Sequence, residues 1–291
     1  MLSKDKKNLI VVPCDFTEEA QIALNHASRI AKQSTDEVRL LHIFNRESKS
    51  KLRKESAGEE AVYAKLKEWA EKNQNETGIT TTYHAEEGSI FTTIAEYIKE
   101  TDAAMMVMGT HGVRGVQHFV GSFAMKVVTS SPVPVIVVQK KDVDASGINK
   151  IVLPIDHNRH GKNKVSYAIS IAKYFGAEVH VFEEYSSDEF YSKQIKLNTN
   201  YAIQRLEENN VKYIEVKEDF SSGSFTKHLI RHAAKIEADL IVISSHADQE
   251  SIADLFLRSN EVEMINNDAM IPVMCVNPFE NTSHLSVAGV G

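Results

Sequence analysis

The chain repeats itself, and that repetition limits the folds open to it more than any other feature. Residues 8–16, NLIVVPCDF, return as residues 149–157, NKIVLPIDH, each an apolar run closing on Pro-x-Asp, with Asp15 and Asp156 141 positions apart. Gly88-Ser89-Ile90 returns as Gly223-Ser224-Phe225 at an offset of 135, and Ala103–Met108 returns as Ala238–Ile243 at the same offset. Val133-Pro134-Val135 returns as Ile271-Pro272-Val273 at 138. Anchors in one order at near-constant offsets mean a duplicated domain. The 291 residues then divide into two copies of about 140, close to the commonest domain size. The copies are expected over 1–140 and 150–277, joined by the polar linker Gln139–Asn149 and followed by a loose tail, 278–291.

Within each copy, short Val/Ile/Leu-rich runs alternate with stretches of helical period. Strands are expected near 9–14, 38–44, 79–85, 103–108 and 134–138, and again near 150–155, 177–183, 211–218, 238–243 and 271–276. Helices of the first copy fall near 18–33, 58–73, 89–100 and 119–130. The first sets Ala20, Ala23, Leu24, Ala27, Ile30 and Ala31 on one face, with Thr17 as N-cap and Glu18 and Glu19 at the positive dipole end. Strand–helix alternation of this kind predicts an α/β fold: two tandem open sheets, each of five mostly parallel strands with helices on both faces. The charged stretch Asn45–Glu55 is expected to be a mobile loop. The very apolar last strand of each copy needs cover, which edge-to-edge pairing of the two would give as an internal pseudo-dimer.

A net charge of −7 and a pI near 6.0 argue against a nucleic-acid binder, which would show a basic face. The N-terminus is polar and carries no signal-peptide core, and no apolar run approaches the ~18 residues of a membrane span. A cytoplasmic location is expected, with no membrane partner. Cys14 and Cys275 both sit in strand-like runs and read as small buried hydrophobes. His157 and His160, and the i, i+4 pair His228 and His232, invite a zinc reading. They read as surface histidines, and no metal ligands are assigned.

Ligands of open parallel sheets bind beyond the carboxyl ends of the strands, where strand order reverses. Asp15 after strand 1, His42–Phe44 closing strand 2 and Gly109-Thr110-His111-Gly112 after strand 4 converge there. The loop Gly109–Ser122, GTHGVRGVQHFVGS, carries four glycines in fourteen residues and leads into a helix. Bare backbone and a helix start suit an anion, and Arg114 is the loop's one cation. His111 and His246 occupy equivalent places and read as backbone braces. Neither half shows a Ser/His/Asp arrangement or a Walker lysine, so no catalytic residue is assigned.

The Val-Pro-x-Asp-Phe-Thr opening, Met-Gly-Thr-His-Gly after strand 4, the later Gly-Ser and the Ser-Pro-Val-Pro-Val strand together resemble the universal stress protein family. The likeness covers nearly all of 8–138 and, more weakly, 149–277. It implies an adenine-nucleotide site at Asp15, Ile43, Gly109, Gly112, Gly121 and Ser122, with Pro13 and Met108 beside them in the matching motifs and Arg114 at the phosphates. ATP, with Mg2+ as a companion ion, is the implied guest. The family's phosphate motif has nine residues before its last glycine; here Val113–Val120 supply eight, which shortens the wrap and favours ADP or AMP. In the second copy Ser244, Ala247, Ser259 and Asn260 replace the motif residues, and Asp248, Glu250 and Asp254 oppose an anion, so that site reads as lost.

The resemblance implies a regulatory, non-enzymatic or weakly hydrolytic nucleotide binder with an unidentified protein partner and a homodimer as a further level of assembly. The alternatives are a scaffold that binds no nucleotide and a genuine ATPase or adenylyl-transfer enzyme.

Overall fold

The structure is a computed structural model, described here for residues 8–34, 37–110, 122–141, 147–158, 161–217, 224–245 and 259–277. The chain divides into two compact units, Leu2–Val143 and Asp144–Gly291.

In the first unit β1 (Leu9–Pro13), β2 (Glu37–Phe44), β3 (Thr81–Glu87), β4 (Met105–Gly109) and β5 (Val135–Val138) alternate with α1 (Glu18–Ser34), α2 (Arg46–Lys54), α3 (Glu59–Thr77), α4 (Ile90–Glu100) and α5 (Ser122–Ser130). The strands lie in the order β3-β2-β1-β4-β5, with parallel pairing throughout. Ile10, Val11 and Val12 follow one another at 0% exposure, which requires cover on both sheet faces. That cover comes from helices, with α1 packed against α3 and α4 against α5.

α1 forms where its pattern predicts. Thr17 Oγ1 accepts from the Ala20 amide at 3.3 Å, and the Ala20, Ala23, Leu24, Ala27, Ile30, Ala31 stripe is buried. Its small residues let the helix axis lie close to the sheet. α3 ends at Gly78, whose φ of 74° closes the last turn through its N–H to the Gln74 carbonyl.

The second unit repeats the plan with β6 (Lys150–Ile155), α6 (Lys162–Phe175), β7 (Glu178–Glu183), α7 (Glu189–Glu208), β8 (Tyr213–Val216), α8 (Phe225–Lys235), β9 (Leu240–Ser244), α9 (Ser259–Ile265) and β10 (Val273–Val276). Its order, β10-β9-β6-β7-β8, is again parallel. β8 is shorter than the expected 211–218, and its burial shows an outermost strand, with Ile214 and Glu215 exposed.

One expectation fails here. Asn45–Glu55 is a helix, α2, rather than a mobile loop. It buries none of its own residues, so no apolar stripe announced it. Asn45 caps it, accepting from the Ser48 amide at 2.8 Å, and Lys49 is salt-bridged to Glu87 on β3 at 2.5 Å. Of the linker, residues 142–146 lie outside the described residues, as does the tail 278–291. Among the described residues no helix is long and apolar enough to cross a membrane.

Candidate functional site

Strand order reverses between β1 and β4, so the crevice of the first unit opens beyond Pro13 and Gly109. Asp15 stands there exposed. Its Oδ1 accepts from the Thr17 amide at 3.1 Å and the Thr17 hydroxyl at 2.5 Å, which ties the start of α1 to the end of β1. Oδ2 has no partner among the described residues.

Phe16 follows in the left-handed region at φ 65°. Its ring lies against His42 at 5.4 Å, meets Trp69 edge-on at 5.7 Å and carries the Lys65 ammonium 4.6 Å above it. The result is an aromatic wall with a cation at its rim, built from β1, β2 and α3. Sequence reasoning missed it, because Trp69 and Lys65 sit some fifty residues from Phe16 and meet it only once α3 packs back on the sheet.

His42, 7% exposed, is the hinge of this corner. A carbonyl only accepts, so Nδ1 carries the proton it gives to the Cys14 carbonyl at 2.8 Å, and Nε2 accepts from the Ser48 hydroxyl at 2.9 Å. Burial lowers the His42 pKa, outweighing the Cys14 bond and the Asp15 charge, with Lys51 adding to the fall. The neutral ring ties β1 to the first turn of α2. Burial also pushes the Cys14 thiol up to about 12, so it is no nucleophile at neutral pH.

The remaining motif residues divide. Pro13 ends β1 beside the crevice, and buried Met108 stands one residue before the end of β4. Ile43 is buried in β2, and its carbonyl already accepts from the Asn45 amide at 2.9 Å. Ser122 opens α5. Gly112, Arg114 and Gly121 lie outside the described residues, as does His111. Gly109 has a local reason to be glycine. A Cβ there would stand 2.7 Å from the Glu19 Cβ and 2.9 Å from the Glu19 carbonyl carbon and oxygen. The close approach of α1 demands a bare backbone whether or not an anion binds. The next amide, Thr110, is spent on the Val138 carbonyl at 3.0 Å.

In the second unit Asp156 repeats the Asp15 turn, accepting from the Asn158 amide at 3.0 Å. Ser244 replaces Gly109, and its buried hydroxyl has no hydrogen-bond partner among the described residues. A cavity of about 10 Å3 lies beyond the end of β6, lined by Asp156, Gly161, Lys164, Asn198 and Tyr201. That volume holds one water molecule and no phosphate. Ala247 and the acidic residues Asp248, Glu250 and Asp254 lie outside the described residues.

The histidine pair on α8 is not a surface feature. His228 is 6% exposed, and half-buried His232 reaches β7, its Nε2 3.2 Å from Nδ1 of His180. Among the described residues no three His, Cys, Asp or Glu side chains gather as a metal set.

A model of the universal stress protein family matches residues 8–139 and again 147–277. "Universal stress protein MJ0531" of Methanocaldococcus jannaschii is 32% identical over 144 residues, 45% of this chain and 81% of that protein. A universal stress protein of Archaeoglobus fulgidus has a similar fold, with TM-score 0.71 at 17% identity over 95% of this chain and 98% of that one. So does the "Putative Universal Stress Protein" of Pseudomonas aeruginosa, with TM-score 0.63 at 17% identity over 94% of both chains.

Proposed function

We propose, because the chain belongs to the universal stress protein family, that its first unit holds an adenine nucleotide whose occupancy regulates contact with a protein partner. The observation that carries this reading is the corner beyond β1. There Asp15 presents an Oδ2 that no described residue engages, in the crevice where strand order reverses. A carboxylate in that place suits the hydroxyls of a ribose. Phe16 and Trp69 offer apolar surface to a base, and Lys65 a charge to the phosphates.

Within this reading the loop through Gly112, Arg114 and Gly121 wraps the phosphates, and ADP or AMP suits its shorter span. Mg2+ would accompany a di- or triphosphate, shielding its charge. Bound nucleotide would also bring the positive end of α5, at Ser122, against an anion. No role as an enzyme is needed: the one buried thiol at the corner is held protonated, and His42 serves as a tether between strands and helix.

A second reading, a scaffold that binds no nucleotide, draws on the main chain. Gly109 is explained by Glu19, the Thr110 amide is spent on Val138 and the Ile43 carbonyl accepts from Asn45. Calorimetry with ATP, ADP and AMP separates the two. The nucleotide reading expects binding in the micromolar range, weakened at least tenfold by Asp15→Ala and by Gly121→Val. The wild-type protein giving no heat with any of the three would leave the scaffold. Gly109 is unsuitable for this test, since any side chain there strikes α1 first.

A further inference from the structure

α7 is apolar on two sides, and a helix lying on a sheet needs only one. Its inner side buries Ile195, Thr199, Ala202 and Leu206, and the helix packs on α6, β6 and β7. About half way round from these lie Phe190, Gln194, Leu197, Tyr201, Gln204 and Glu208, at spacings of four and three. Phe190 and Leu197, 65% and 64% exposed, lead this outer row, with Tyr191, 44% exposed, on its flank and half-buried Tyr201 a turn beyond Leu197.

The duplication shows that the fold does not ask for such a row. α3 is the counterpart of α7, since its buried Val62, Leu66 and Asn73 correspond to Ile195, Thr199 and Leu206 at an offset of 133. At that offset Gln194, Leu197, Tyr201 and Gln204 are matched by Ala61, Ala64, Glu68 and Glu71, all exposed. The first unit thus shows water alanine and charge where the second shows leucine and tyrosine.

We propose that α7 is a self-association surface, on which a second copy of this chain docks its own α7 in antiparallel fashion about a two-fold axis.

Spacings of four and three make the seam that one helix offers another, and the flanks say which way the other helix runs. Lys193, Asn200 and Glu207 stand on one flank, Tyr191, Asn198 and Arg205 on the other. In an antiparallel pair each flank meets itself in reverse order. Lys193 then faces Glu207 of the second copy, Asn200 faces its own equivalent, and the Tyr191 ring faces the Arg205 guanidinium. Along the seam Leu197 packs on Tyr201 and Gln194 on Gln204. Phe190 closes over Glu208, whose carboxylate is already held by Arg205 at 2.5 Å and Gln204 at 2.9 Å. No like charges face one another. A parallel pair would instead stack Glu208 on Glu208 and set Lys193 and Arg205 opposite asparagines, with no charge satisfied.

Lys193 now holds Glu189 at 2.7 Å, and Glu207 accepts from the Tyr213 hydroxyl at 2.7 Å. Both contacts lie at the surface, so exchanging them for a partner across the seam costs little. The area is modest. A large side chain half to two-thirds exposed leaves roughly 100 Å2 to cover, so one copy removes several hundred Å2 from water, at the lower end of specific interfaces. The pairing is therefore weak and concentration-dependent, with a dissociation constant of about 10–100 μM.

Sedimentation velocity of the full chain between about 5 and about 500 μM tests this, with the weight-average mass expected to rise from one chain towards two. Leu197→Glu, at a site that already faces water, should move that rise to a roughly tenfold higher concentration or beyond. Lys193→Glu sets carboxylates face to face and should weaken association about fivefold, while K193E/E207K exchanges the signs and should restore it. A chain still monomeric at the highest concentration would leave the row to the helix of a different protein and overturn self-association. A dimer indifferent to Leu197→Glu forms through another surface and overturns it too. Failure of a folded K193E/E207K to recover would overturn the antiparallel register. Should that double variant not fold, Phe190→Ala and Leu197→Ala, both at exposed positions, must each weaken the dimer, and unchanged association in both refutes the seam.

Discussion

A methyl group added to Gly109 meets α1 before it meets any ligand, and the size of that conflict can be worked out. Its Cβ would stand 2.7 Å from one Glu19 atom and 2.9 Å from two more, two of the three being backbone. Carbon atoms pack comfortably at about 3.5–4.0 Å, so the end of β4 and the first turn of α1 must part by the better part of an ångström. α1 cannot shift freely, because Ala20, Ala23, Leu24 and Ala27, all at most 4% exposed, already fill the space beneath it. Overpacking of this kind costs about 1–3 kcal/mol. Trp69 is the chain's one tryptophan and lies against Phe16 beside this turn, so its fluorescence reports the first unit alone. Urea unfolding of Gly109→Ala followed at Trp69 should show that loss. A variant within about 0.5 kcal/mol of wild type would mean that helix proximity does not require this glycine.

Two further substitutions test the rest of the structure. Asn45→Ala removes the side-chain cap of α2, worth about 1 kcal/mol of helix stability. Because α2 buries none of its residues, the loss should appear as faster amide exchange over 46–54 with little change in the global urea midpoint, and a global collapse would show that α2 carries more of the fold than its burial implies. Ser244→Ala deletes a buried hydroxyl that has no hydrogen-bond partner among the described residues. Freed of that desolvation cost, the second unit should gain about 1 kcal/mol in urea unfolding followed by circular dichroism, whereas a loss would reveal a hidden partner for the hydroxyl.

What the sequence conveyed well is what repeats. Apolar runs closing on Pro-x-Asp mark β1 and β6 because a strand covered on both faces leaves no room for polar alternation, and Thr17 with Glu18 and Glu19 marks the start of α1 because capping is local chemistry. α2 escaped because its evidence is a single cap, Asn45, ahead of nine residues without an apolar stripe. The α8 histidines were misread for a different reason. His228 and His232 at i, i+4 look like any solvated pair until β7 sets His180 beside them.

The two copies also decide which identities the fold itself demands. Asp15 and Asp156 survive in both, yet each accepts from an amide two residues on, at 3.1 Å from Thr17 and 3.0 Å from Asn158. That turn alone explains the retained aspartate in a copy whose glycines are gone, so persistence of the residue is no evidence for a ligand. Gly109 separates from Ser244 by the same logic. α1 starts two residues beyond Phe16 and crowds β4, whereas α6 starts only after the longer turn ending in Gly161, where a Cβ would lie 3.9 Å from the Ser244 hydroxyl, an ordinary contact. Where a helix begins, rather than what binds, sets the residue that can end the neighbouring strand. What distinguishes the first unit at this corner is Phe16 after the aspartate, Trp69 edge-on to it and Lys65 above its ring, where the second unit sets His157 against Tyr191.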